Sequence, residues 1–239
     1  MKKGFAIMLV SLLFTVCSAA GVLAHDTWII EENGAVVVAV GHHGDTEAYE
    51  PERVKDIVGY TDRLWPVSLE IEPQEGESRA LVDEPFVAYT AFLDNEYWIQ
   101  SSQGWKNQRE KSGLNVLVEG RSYKYAKHIS GWVDDLSGPL GQRFEIVALE
   151  DPTALEEGDK LPVQIYYEGV PLEKARLSGS SNIKGDTHQL NEVEGRGPFH
   201  VTVGPEGPQL ITAKHVLQVE GEKKVAWFAA TLSFHTSVK

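Results

Sequence analysis

Short apolar or alternating runs, closed off by Gly, Pro, Asn and Asp, dominate the chain. Ala35–Val40, Val87–Leu93, Tyr97–Ser101, Asn115–Val118 and Ser122–Ile129 fit strands. So do Phe144–Leu149, Leu161–Glu168, Phe199–Val203, Gln209–Glu220 and Val225–Thr236. Only Pro51–Tyr60 reads as helical, with Pro51 suited to a first turn. The predicted fold class is all-β: two β-sandwich-like domains, the C-terminal one immunoglobulin-like or transthyretin-like. The polar stretch Glu150–Lys160, with its Pro and Gly, is the clearest break in the pattern. The predicted organisation is a signal peptide over 1–24, an N-terminal β-rich metal-binding domain over 25–142 and a C-terminal sandwich over 143–239.

Residues 1–24 differ from the rest. Lys2 and Lys3 precede the apolar run Phe5–Val16, which is shorter than the roughly 20 residues a membrane-spanning helix needs. Val22-Leu23-Ala24 then fits a small-residue cleavage site. Ser18-Ala19-Ala20 offers a competing cut, and Cys17 a lipid-anchored alternative, although Val16 stands where a lipoprotein signal places a small residue. Cleavage after Ala24 predicts a periplasmic protein beginning at His25, with no direct membrane insertion of the mature chain.

Removal of residues 1–24 leaves 20 basic against 35 acidic residues, a net charge of about −15. Such a chain repels nucleic acid, so no nucleic-acid partner is expected. The single cysteine lies in the signal, which excludes disulfides, thiolate metal sites and a cysteine nucleophile from the mature form. A transition metal must then be held by histidine nitrogen and carboxylate oxygen. Phosphate loops, nucleophile elbows and HExxH helices are missing, and no enzymatic activity is expected.

Cleavage before His25 would give that residue two donors, its α-amine and its ring. Amine and imidazole suit Ni, Cu, Co and Zn better than Ca or Mg. His42 and His43 follow the apolar strand in Gly41-His42-His43-Gly44-Asp45. Adjacent strand residues point to opposite faces, so both rings reach one ion only if the backbone bends, as Gly41 and Gly44 permit. Asp45, Glu47 and Glu50 are available to ligate or to hydrogen-bond a ligand ring. His128 shares a face with Lys124 and Ala126, opposite Tyr123, Tyr125 and Ile129; it becomes a further ligand if that face meets the N-terminus. His215 reads as a core histidine in phase with Ile211, Ala213 and Leu217, while His188, His200 and His235 carry no assignment. The tryptophans Trp28, Trp65, Trp98, Trp105 and Trp132 fit a core better than a sugar-stacking platform.

Ala24-His25-Asp26-Thr27-Trp28, Gly41-His42, Gly104-Trp105-Lys106, Tyr125-Ala126-Lys127 and the cadence of Phe144–Leu172 together resemble the DUF4198 proteins. That family includes periplasmic accessory components of nickel and cobalt uptake systems of the energy-coupling-factor type. The resemblance implies a periplasmic binding protein for Ni²⁺, or alternatively Co²⁺ or Cu²⁺. It would deliver the ion to a membrane-embedded permease. By motif the resemblance carries over His25 and His42; His43 and His128 are added from local sequence. The open alternatives are a copper carrier, a copper oxygenase with an N-terminal histidine clamp, and a structural envelope module without metal.

Overall fold

A computed structural model describes residues 25–42, 45–179, 190–218 and 221–236, together with the backbone of 181–182. The expected signal peptide with its cut sites, Cys17, His43 and His188 lie outside the described residues. The chain is nearly all β, its only helical turns being short 3-10 segments among the described residues.

Three sheets form three layers. The ten-stranded middle sheet runs, in spatial order, through Leu190–Glu194, Lys174–Ser178, Gly207–Gln218, Lys224–Thr236, Val116–Ile129, Ala88–Ser101, Val54–Tyr60 and Pro66–Ser68. A five-stranded sheet, led by the hairpin Asp26–Glu32 and Ala35–His42, covers one face. A four-stranded sheet built on Phe144–Ala148 and Lys160–Tyr167 covers the other. The period-2 alternation of the central strand Val116–Ile129 sets what each layer meets. Tyr125 and Ile129 join the core under the four-stranded sheet, and Ala126 joins the core under the hairpin. Trp28, 1% exposed, seals the hairpin against Leu210 of the middle sheet. Burying side chains of this size contributes roughly 1.5–3 kcal/mol each.

Two pairs of expected strands are continuous. Val87–Leu93 and Tyr97–Ser101 merge into Ala88–Ser101, and Asn115–Val118 and Ser122–Ile129 merge into Val116–Ile129. The polar residues between the first pair form a bulge, not a turn: the register shifts opposite Arg121 and Tyr123, and Glu96 takes φ 64°. Gly120 permits the second continuity, since a Cβ there would lie 1.7 Å from the carbonyl oxygen of Val225 on the neighbouring strand.

Pro51–Tyr60 is not a helix. Only Pro51–Arg53 makes a 3-10 turn, and Val54–Tyr60 is a strand. Tertiary burial decides this: Val54 and Ile57 fill the core under the hairpin, and Tyr60 fills the core on the opposite face.

The segments on either side of residue 142 share the middle sheet, because Val116–Ile129 pairs in parallel with Lys224–Thr236 from Glu119↔Lys224 to Ile129↔Phe234. Lys127, on the central strand, forms a buried ion pair with Glu145, the second residue of Phe144–Ala148. The core under the four-stranded sheet likewise draws on both segments.

Candidate metal-binding site

The site is a product of hairpin register. Asn33 and Gly34 take φ 50° and 73°, forming the two-residue turn that matches strand twist. Pairing then runs from Glu32↔Ala35 to Asp26↔Gly41, so that paired residue numbers add to 67 throughout. One step further, the same register sets His25 opposite His42. Residues facing each other across an antiparallel pair share a sheet face and lie within side-chain contact. The two imidazole centroids are 4.3 Å apart, with the rings tilted by 40°.

Glu47 enters through a tight return of the chain. His42 pairs with Asp45, Gly41 pairs with Thr46, and the Glu47 N–H donates to the Val40 carbonyl at 2.7 Å. Gly41 makes the return possible: a Cβ at this position would lie 1.9 Å from the Asp45 carbonyl oxygen. The Glu47 carboxylate consequently stands 3.0 Å from His25 Nε2. His25, His42 and Glu47 each offer a ligand atom, and these atoms lie within 4.8 Å of one another. Among the described residues this is the one group of three or more such side chains that converges in this way.

The base of the site is buried and polar. Lys124 Nζ donates to the His25 carbonyl at 2.6 Å, tying the first hairpin residue to the central strand. Burial pushes the Lys124 ammonium down to about 8, against the opposing pull of Asp26. Asp26 is also buried, with Lys214 Nζ 3.3 Å from its carboxylate. Thr231 Oγ1 donates to the Thr27 carbonyl, so the middle sheet serves alternate backbone acceptors, those of His25 and Thr27. Above this base His25 and His42 are half-buried and Glu47 is exposed, leaving the donor set open to solvent.

A cleft of about 420 Å³ adjoins the donors, lined among others by His25, Glu47, Tyr49, Leu93, Asn95 and Trp98. A neighbouring cleft of about 630 Å³ shares Glu50 and Arg53 with it; there Arg53 pairs with Glu50 and Glu96, and Arg121 pairs with Asp94.

His128 does not join the donor set. Its face of the central strand does meet the hairpin, as the ligand expectation required, but at the other end. Lys124 meets His25 there, whereas His128 Nε2 lies 3.8 Å from Glu31. Four residues of strand, about 13 Å, separate the two positions. His128 Nδ1 is 2.9 Å from Ser233 Oγ, and burial, reinforced by His235, pushes its ring down to about 4. It is a neutral core histidine. His215 is half-buried against Phe144 and Tyr167, its ring also pushed down by burial. Of the tryptophans, Trp28 is buried, Trp98 and Trp105 cluster with Trp227, and Trp65 is 63% exposed. Glu47 is the third member of the group, to which spacing alone gave no preference over Asp45 or Glu50. The Asn33-Gly34 turn was the available signal for the histidine pair, since it fixes which residues face each other.

The family described as a domain of unknown function, DUF4198, matches residues 22–217. The chain belongs to the DUF4198 family. The match takes in the whole donor set and both long strands beneath it, Ala88–Ser101 and Val116–Ile129. No curated protein shows significant similarity to this DUF4198 chain.

Proposed function

We propose that this DUF4198 protein is an exported carrier for a transition-metal ion, Ni²⁺ foremost and Co²⁺ second. In this reading it captures the ion at His25, His42 and Glu47 in the periplasm and passes it to a membrane-embedded permease. The observation that carries the reading is the convergence of two imidazoles and a carboxylate within 4.8 Å at an open cleft. Nitrogen-rich donors with one carboxylate suit late first-row divalent ions. Cleavage after Ala24 adds the His25 α-amine, which closes a chelate ring with Nδ1 of the same residue. Few protein ligands and partial exposure suit a protein that must release its cargo. The donor set serves binding and delivery, with no catalytic step.

Calorimetric titration of protein processed to begin at His25 tests this directly, using Ni²⁺, Co²⁺, Cu²⁺ and Zn²⁺. The expected result is one site per chain that is weakened at least tenfold by His25→Ala, His42→Ala or Glu47→Gln. Failure of all four ions to bind more tightly than about 100 μM, a binding free energy of roughly −5.5 kcal/mol, ends the carrier reading. Tight binding by Cu²⁺ with oxygen-dependent turnover would move the assignment to a copper enzyme.

A further inference from the structure

Resting on that metal reading, we infer that the ion occupies the site as a complex with a small amino-carboxylate chelator, whose body sits in the cleft beside His25 and Glu47. The cleft holds about 420 Å³. Six waters around an ion occupy roughly 180 Å³ at about 30 Å³ each. The remaining space matches a small organic molecule.

The walls have the chemistry for one. Val40, Leu93 and Pro51 present apolar surface, and Tyr49 and Trp98 add rings. A hydrated ion gains nothing from such walls, whereas carbon-bearing ligands are held by apolar surface with a few placed polar groups. Trp98 is fixed from beneath: its Nε1 donates to the Asn95 carbonyl at 2.6 Å, and it belongs to the cluster containing Trp105 and Trp227. Arg53 and Asn95 line the cleft as well, with Arg53 Nη1 donating to Asn95 Oδ1 at 3.5 Å. Arg53 is also paired with Glu50 and, at 3.1 Å, with Glu96, whose side chains are 68% and 49% exposed. Exposed pairs of this kind hold weakly, so a chelator carboxylate can take the place of Glu50 on the guanidinium. At the other end, the three side chains and the His25 α-amine leave two positions of a six-coordinate ion open, which an amine and a second carboxylate fill.

Equilibrium dialysis of the processed protein against radiolabelled iminodiacetate, with Ni²⁺ added or omitted, tests this. The expected result is retention of the label only with Ni²⁺, at one chelator per bound ion. Trp98→Leu and Arg53→Gln should each lower the ratio of chelator to bound nickel at least tenfold. A loss of folding lowers both quantities together and leaves the ratio unchanged. Nickel bound without label, or both variants binding nickel at the wild-type level with an unchanged ratio, overturns this inference alone. No nickel bound with or without chelator overturns the metal reading and this inference together.

Discussion

Lys127 and Glu145 form an ion pair sealed between the middle sheet and the four-stranded sheet, their side chains 1% and 0% exposed. The partners are not equivalent. Glu145 also accepts from the backbone N–H groups of Leu140, Gly141 and Gln142. Lys127 Nζ has no hydrogen-bond partner of good geometry beyond this contact, and burial pushes its pKa down. Removing the carboxylate therefore strands a buried charge and three donors, whereas removing the lysine leaves a carboxylate still held by three N–H groups. Glu145→Ala is expected to cost about 3–5 kcal/mol in urea denaturation. Lys127→Met should cost about half of that or less; equal losses would show that the backbone donors contribute nothing.

His128 predicts a pH dependence of stability. Its ring titrates near 4 when folded, below the usual 6.5. Between these values the unfolded chain binds a proton that the folded chain does not. Stability from this residue is thus complete above pH 6.5 and declines as pH falls toward 4, by about 3 kcal/mol in all. His128→Gln should flatten that part of the profile relative to wild type. The same variant should bind Ni²⁺ within threefold of wild type, whereas a tenfold loss would return His128 to the donor set.

Gly41 should be intolerant of a side chain, because its Cβ would collide with the Asp45 carbonyl. The chain would have to open between His42 and Asp45, withdrawing Glu47 from His25. Gly41→Ala is expected to lower Ni²⁺ affinity at least tenfold by calorimetry. Unchanged affinity would mean that Glu47 is dispensable or finds its place by another route.

The proposed cleavage after Ala24 predicts a dependence on processing. One extra residue ahead of His25 converts the amine into an amide and removes the chelate ring. Affinity for Ni²⁺ should fall at least tenfold with the unfolding midpoint unchanged. Equal affinity in the two forms would confine ligation to side chains. Binding in either form should weaken in acid, since ligation requires neutral imidazoles.

The sequence by itself determined the β class and the position of most long strands, Asp26–Glu32 and Val54–Tyr60 being the exceptions, because burial on one face writes a period of two into the chain. It also singled out His25 and His42 as candidate donors, since residue type limits which metals and which chemistry are available. The strands it divided, at Asp94-Asn95-Glu96 and at Glu119-Gly120-Arg121, were divided because a bulge and a close parallel crossing use the same polar and glycine residues as a turn. Pro51–Tyr60 was misread as helical because its weak local pattern is overridden by the two cores it joins. Only the tertiary structure decided the membership of the donor set. Glu47 joins it through the return at Gly41, and His128 leaves it because sharing a strand face with Lys124 says nothing about distance along the strand. Local periodicity fixes the face on which a side chain lies; only the layering of sheets fixes what stands opposite, and a metal site depends on the second.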